Sequence, residues 1–374
     1  MKVLVVFGTR PEAIKMAPVI KAFAQHSAFK TKICVTAQHR SMLDQVLSLY
    51  HITPDYDLDI MTANQSLANV VYRVMNGLDE VFTQFQPDWV FVQGDTSTTF
   101  AASLAAYYKK ISVAHVEAGL RTHHIYSPWP EEINRQLTSR IANLHFAPTP
   151  LAKKNLLEEN VAEEKISVTG NTVIDALLET VELIKSNQAI SSSMHRQFPF
   201  LDEKRQLILV TSHRRENFGA GLEQLCHALL SLSSREDVQI VYPVHLNPNI
   251  AGPVNQLLAN KKNIHLLAPQ DYLPFVYLMI KSYLIITDSG GIQEEAPSLG
   301  KPVLVARDTT ERPEGISAGT AKLVGTNTSA IIQSVEELLD DNEKYKKMSM
   351  ASNPYGDGKA AYRILERLQN EFNV

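Results

Sequence analysis

Cysteine is scarce in this sequence. Only two occur in 374 residues, Cys34 in a strand-like run and Cys226 in a helix-like one. They cannot build a disulfide framework or a zinc site, so both read as buried thiols. Blocks of like charge are also missing, and 36 Lys plus Arg against 40 Asp plus Glu leave a net charge of −4. Neither a nucleic-acid surface nor a polybasic membrane surface finds support there. The longest apolar run, 272 to 280, contains a proline and is far shorter than a membrane span. The opening MKVLVVFGTRPE holds only a five-residue apolar stretch, too short for a secretory leader, and a cytoplasmic protein is expected. A GxGxxG fingerprint, a GxxxxGK[ST] loop and a compact His, Cys and Asp set are all absent, so neither nicotinamide nor metal is expected as a cofactor.

What is present is an alternation of short β-rich runs with helix-period segments, the pattern of parallel sheets covered by helices. Strands are predicted at 3–7, 31–36, 89–93, 113–116 and 145–148, with helices at 11–25 and 131–142 among those between them. The pattern restarts after Asn171, with strands at 207–211, 239–243, 264–267, 284–287 and 302–306. At roughly 150 residues per domain the length suits two. The class is therefore α/β, with two doubly wound sheets, 1–170 and 171–358. A helix at 173–186 followed by Ser191, Ser192 and Ser193 serves as the connection, and a last helix from 359 belongs to either half.

Ligands of open parallel sheets bind beyond the carboxyl ends of the strands, and the residues there are polar. GTRPE (8–12) sets Arg10 at a helix start with Lys15 one turn on, a phosphate-binding arrangement. A structural turn with solvated charges would read the same. GDTSTT (94–99) projects Asp95 past the sheet, as a substrate contact or a mere helix cap. HVEAGLRT (115–122) puts His115 and Glu117 on one face of a strand, and SPWPEEINR (127–135) opens a helix with Glu131 and Glu132. In the second half, TSHRREN (211–217) ends a strand with four ionisable residues, among them His213 and Arg214. TDSGGIQEEAPSLG (287–300) opens a helix at Ser289, Gly290 and Gly291, whose N–H groups suit phosphate, with Glu294 and Glu295 placed for ribose hydroxyls. RDTTERPE (307–314) adds Arg307 and Arg312.

These runs, with QHRSMLDQVL (38–47), YPVHLNP (242–248) and NPYGDGKA (353–360), closely resemble the non-hydrolysing bacterial UDP-N-acetylglucosamine 2-epimerases from end to end. The resemblance implies two Rossmann-like domains of glycosyltransferase-B type facing across a cleft, a homodimer, and interconversion of UDP-GlcNAc with UDP-ManNAc. It assigns Arg10, Lys15, Asp95, Glu117, Glu131 and His213 to substrate contact or catalysis. Gln270, Phe275, Ser289, Gly290, Gly291, Glu295 and Arg312 would hold uridine, ribose and diphosphate. A second, activating UDP-GlcNAc would touch Gln38, His39, Glu131, Arg214 and His245. One departure is Ser212, where the family has glycine before the HRRE run.

The expected function is epimerisation at C2 by loss and re-addition of UDP through a 2-acetamidoglucal, supplying ManNAc units for surface polysaccharide. A UDP-sugar glycosyltransferase of the same fold, a hydrolysing epimerase that releases ManNAc, and a non-catalytic UDP-sugar sensor are the alternatives. Three carboxylates, Asp95, Glu117 and Glu131, favour the epimerase, because inversion needs acid/base groups around one carbon.

Overall fold

Strands buried on both faces of a parallel sheet read as unbroken apolar runs, and the runs predicted above pair in that way. The computed structural model describes residues 1–37, 40–62 and 65–372. The chain divides into two units, Met1–Ala176 together with the chain from Tyr355 onward, and Leu177–Pro354.

In the first unit β1 (Lys2–Phe7), β2 (Lys30–Val35), β3 (Tyr56–Asp57), β4 (Trp89–Gln93), β5 (Ser112–Val116), β6 (Leu144–Ala147) and β7 (Ile166–Val168) form one sheet in the order β3-β2-β1-β4-β5-β6-β7. All of its pairs are parallel, and Val3 lies opposite Trp89 where the order reverses. Its core packs Leu4, Val6, Val90 and Val92 against Val74, Leu78, Ala101 and Ala102 of the covering helices. The alanines of the helix Ser97–Tyr108 let it lie close on the sheet.

The second unit repeats the plan with β8 (Gln206–Thr211), β9 (Val238–Pro243), β10 (Ile264–Leu267), β11 (Leu284–Thr287), β12 (Val303–Val305) and β13 (Ala321–Leu323), ordered β10-β9-β8-β11-β12-β13. Here Ile208, Val210, Ile240 and Ile286 meet Leu225, Leu229 and Ile331. Each sheet therefore has one switch point, between β1 and β4 and between β8 and β11, which is where doubly wound folds bind ligands.

Three strands escape the sequence reading: β3, β7 and β13, each of two or three residues and each at a sheet edge. Runs that short carry no periodicity. The serines read as a connection, Ser191 to Ser193, lie instead inside the helix Gln188–Gln197, which Asn187 caps by accepting the Ala189 and Ile190 N–H groups. The last helix, Ala360–Phe372, packs on the first helix, Arg10–Ala24, in the first unit. Asp175 accepts the N–H groups of Ala360 and Ala361 at its start, and Asn171 N donates to Tyr355 O at 2.7 Å where the chain returns. Among the described residues no helix is long and apolar enough to cross a membrane.

Candidate active site

The turn after β1 is built around a carboxylate. Glu12, in the first turn of Arg10–Ala24, accepts the N–H groups of Gly8 (3.1 Å) and Thr9 (2.8 Å). Its other oxygen accepts the hydroxyls of Thr96 (2.7 Å) and Thr99 (3.3 Å) from the turn after β4. One buried acid thus ties together the two switch-point loops that carry Arg10 and Asp95, and burial raises its pKa. Gly8 admits no side chain, since a Cβ there would lie 2.1 Å from Thr36 Oγ1. Arg10 is the first residue of the helix, and Lys15 reaches from it to both oxygens of Glu117 at 2.7 Å.

Glu117 does not share the face of His115 as strand alternation predicts. β5 ends at Val116, and Glu117 takes φ 62°, a left-handed conformation that a non-glycine residue holds only at a cost. This turns its carboxylate toward Lys15, the Gln93 amide and the Asn171 amide, the last at 3.0 Å. His115 points elsewhere: its Nε2 lies 2.7 Å from Gly94 O, and burial lowers its pKa to about 3. The ring is neutral and donates that bond, which holds the turn leading to Asp95.

Asp95 is paired with Arg135, and its carbonyl accepts from Asn134 at 3.0 Å. Arg135 also lies 3.3 Å from Glu132, which is fully buried and accepts the Thr122 and His123 N–H groups. Glu131, its neighbour, opens the helix Glu131–Ile141 and is half-buried. The first unit therefore brings Lys15 and Glu117 into contact, whereas Asp95 joins Arg135. Gln38 and His39 lie outside the described residues.

In the second unit His213 follows β8 and places Nδ1 3.1 Å from Asp288, which follows β11. Ser212 Oγ and the N–H groups of His213 and Arg214 donate to the same carboxylate, each at 2.9 Å to Oδ2. Burial alone would raise the Asp288 pKa, but the His213 contact and the backbone donors outweigh it and hold the value below the ordinary one. The His245 ring stacks on His213 with centroids 6.3 Å apart. Beside them Arg307 bridges Glu216 and Glu311, and Arg214 reaches Glu311 at 3.5 Å. Despite the upward push of burial, hydrogen bonding from Arg307 and the charges of both arginines lower the Glu311 pKa to about 2.

Ser289 occupies the N-cap position of the short helix Gly290–Glu295 without a side-chain capping bond, and the Arg312 guanidinium lies against Gly290 while pairing with Glu294. Glu295 is buried and accepts the Tyr272 hydroxyl at 2.8 Å. Phe275 on the helix Tyr272–Lys281, Gly291 and Gln270 are half-buried, and Gln270, a loop residue, donates to Ala268 O and accepts from the Gln197 amide.

Sequence reasoning missed Glu12, Gln93, Asn171, Arg135 and Asp288 as parts of the site. A polar residue closing a buried strand, as Gln93 closes WVFVQ, was the available signal for one of them. Among the described residues no group of three or more His, Cys, Asp or Glu is gathered as a metal would require.

The family model described as UDP-N-acetylglucosamine 2-epimerase matches residues 21–369. The chain is 58% identical over 371 residues to the UDP-N-acetylglucosamine 2-epimerase of Escherichia coli O157:H7, covering 99% of each. The crystal structure of UDP-GlcNAc 2-epimerase from Neisseria meningitidis bound to UDP-GlcNAc matches with a TM-score of 0.93 at 55% identity, over 99% of this chain and 100% of that one. The Methanocaldococcus jannaschii UDP-GlcNAc 2-epimerase in complex with UDP-GlcNAc and UDP matches with a TM-score of 0.81 at 34% identity, again over 99% and 100%.

Proposed function

The chain belongs to the UDP-N-acetylglucosamine 2-epimerase family, and from that premise we propose that it interconverts UDP-GlcNAc and UDP-ManNAc by elimination and re-addition, without releasing free sugar. The C2 proton lies next to an acetal, not a carbonyl, so it is not acidic enough to be taken directly. The C1–O bond breaks first, and its electron pair leaves with UDP. A carboxylate then takes the C2 proton, and the C–H pair becomes the C1=C2 bond of 2-acetamidoglucal. Return of a proton to the opposite face of C2, with UDP oxygen re-adding at C1, completes the inversion.

The C2 hydrogen is anti to UDP in one sugar and syn in the other, so acid/base groups must serve both faces. We assign this work to Asp95, Glu117 and Glu131, and assistance to the leaving phosphate to His213. The observation that carries the reading is the setting of Glu117: a strained backbone aims its carboxylate, and three side chains from separate elements hold it. Such fixed geometry suits proton transfer better than mere binding. In the second unit Ser289, Gly290, Gly291 and Arg312 are assigned to the diphosphate, Glu295 to the ribose, and Gln270 and Phe275 to the uridine. The same reading extends to a homodimer, to supply of ManNAc for surface polysaccharide, and to activation by a second UDP-GlcNAc at Gln38, His39, Glu131, Arg214 and His245.

The test is NMR of the products formed from UDP-GlcNAc alone in D₂O, with EDTA present. UDP-ManNAc carrying deuterium at C2 is expected. Product that keeps its original hydrogen would overturn the two-face scheme, and stoichiometric free UDP with ManNAc would make the enzyme a hydrolysing one.

A further inference from the structure

The hydrogen bonds around the switch point of the second unit converge on a carboxylate that the scheme above leaves unused. Asp288 is 0% exposed. Five donors meet it: the Ser212 hydroxyl, the N–H groups of His213 and Arg214, the Asn217 amide at 3.3 Å, and His213 Nδ1 at 3.1 Å. The topology makes this meeting obligatory. β8 and β11 are neighbours with Thr211 opposite Thr287, so Ser212–His213 and Asp288 leave the sheet side by side. An ionised carboxylate accepts only. His213 Nδ1 must therefore carry the hydrogen of that contact, which leaves Nε2 as the other ring nitrogen of a side chain that is 42% exposed.

We propose that Asp288 is a positioning residue that fixes His213 in the Nδ1–H form with Nε2 available to the leaving diphosphate, and that Ser212 weakens this grip by donating to the same carboxylate. The inference rests on the role given to His213 above. As the C1–O bond breaks, the proton on Nε2 of the imidazolium passes to the departing phosphate oxygen. The ring becomes neutral, and Asp288 keeps its negative charge and its Nδ1–H bond throughout. Re-addition runs the same transfer backward. The other groups facing His213 do not supply this charge. Arg214 and Arg307 are matched by Glu311 and Glu216, and Tyr242 and Cys226 are held neutral by burial. His245 accepts the Asn247 N–H through its own Nδ1. Among the described residues, Asp288 is the anion in direct contact with the ring. A residue without a hydroxyl at position 212 would leave that side-chain donor out.

The experiment combines kcat against pH with ¹⁵N NMR of the histidines, for wild type, Asp288→Asn, Ser212→Ala and His213→Asn. Asp288→Asn is expected to lower kcat about 10- to 100-fold, short of the full loss of a proton transfer, and to move the basic limb of the profile down by about one unit. Ser212→Ala is expected to move that limb the other way while KM is kept. The wild-type spectrum should show His213 protonated at Nδ1 in its neutral form. A uniform loss in Asp288→Asn with the limb unmoved would reduce Asp288 to a scaffold residue, as would an Nε2–H tautomer in wild type. If Asp288→Asn does not fold, an unmoved limb in Ser212→Ala overturns the proposal by itself. If His213→Asn leaves turnover and its profile intact, the catalytic role of His213 fails, and the dyad is decided by the tautomer.

Discussion

Replacing Glu12 separates the hydrogen bonds it accepts from the charge it buries. Glu12→Ala removes the acceptor from two backbone N–H groups and two hydroxyls. The hydroxyls have other partners, since Thr99 also donates to Gln93 O at 2.6 Å and lies 3.1 Å from Thr96. The N–H groups of Gly8 and Thr9 lose this acceptor outright. At about 1–3 kcal/mol for each buried donor left unsatisfied, the first unit should lose about 2–6 kcal/mol. Glu12→Gln keeps the shape: its oxygen faces the N–H groups, and its amide donates to the threonine oxygens. Its cost should be no more than about 1 kcal/mol, the net scale of one hydrogen bond. The two variants also differ in pH dependence. Burial raises the Glu12 pKa above its ordinary 4.5, so the folded state holds the proton longer than the unfolded chain does. That contribution is complete below the unfolded value and is lost as pH rises through the folded one. Glu12→Gln should therefore gain on wild type as pH climbs above 4.5. Urea unfolding followed by tryptophan fluorescence reads the right unit, because Trp89 and Trp129 are the only tryptophans and both belong to it. A Glu12→Ala midpoint equal to wild type would refute the reasoning. So would wild-type stability that rises against Glu12→Gln with pH.

Glu117→Gln and Asp95→Asn should each cut kcat by about 10² or more while leaving KM nearly unchanged, and steady-state kinetics showing an unchanged kcat would remove them from the chemistry. Glu295→Ala should weaken UDP binding by about 1–3 kcal/mol in titration calorimetry, whereas Tyr272→Phe, which deletes only the hydroxyl that Glu295 accepts, should bind nearly as wild type does. Equal losses in both would move the role from Glu295 to the pair. Glu311 is depressed to about 2, so its contribution is present above its unfolded value and disappears as pH falls through the folded one. Glu311→Gln should therefore flatten the acid limb of unfolding followed by circular dichroism, and an unaltered acid midpoint would contradict that.

How much of this was legible depends on sequence distance. The run WVFVQ coincides with β4 because a buried parallel strand has a local signature. The polar residues after β1, β4, β8 and β11 could be flagged because strand ends are where such folds bind ligands. The two- and three-residue edge strands left no pattern to read. Serines, weak helix formers, concealed the helix Gln188–Gln197, which its cap helps to fix. The supports of the site were hidden for another reason. Gln93 and Asn171 meet Glu117 from 24 and 54 residues away, and Ser212 meets Asp288 from 76. Nothing local records such meetings. The inference that His115 and Glu117 share a face failed because Glu117 leaves the strand with a positive φ.

The first unit is completed by both ends of the chain, and this matters while the protein is being made. After Ala176 has emerged from the ribosome, roughly 180 residues of the second unit must follow before the last helix exists, which at about 5–20 residues per second takes roughly 10 to 35 s. Through that interval the helix Arg10–Ala24 lacks the apolar face carrying Ile364, Leu365 and Leu368, and Asp175 lacks the two N–H groups it accepts in the finished fold. The nascent chain therefore carries an uncovered apolar strip on an otherwise assembled sheet domain, a temporary docking place for a chaperone. A ribosome stalled before Tyr355 would leave that strip exposed for good.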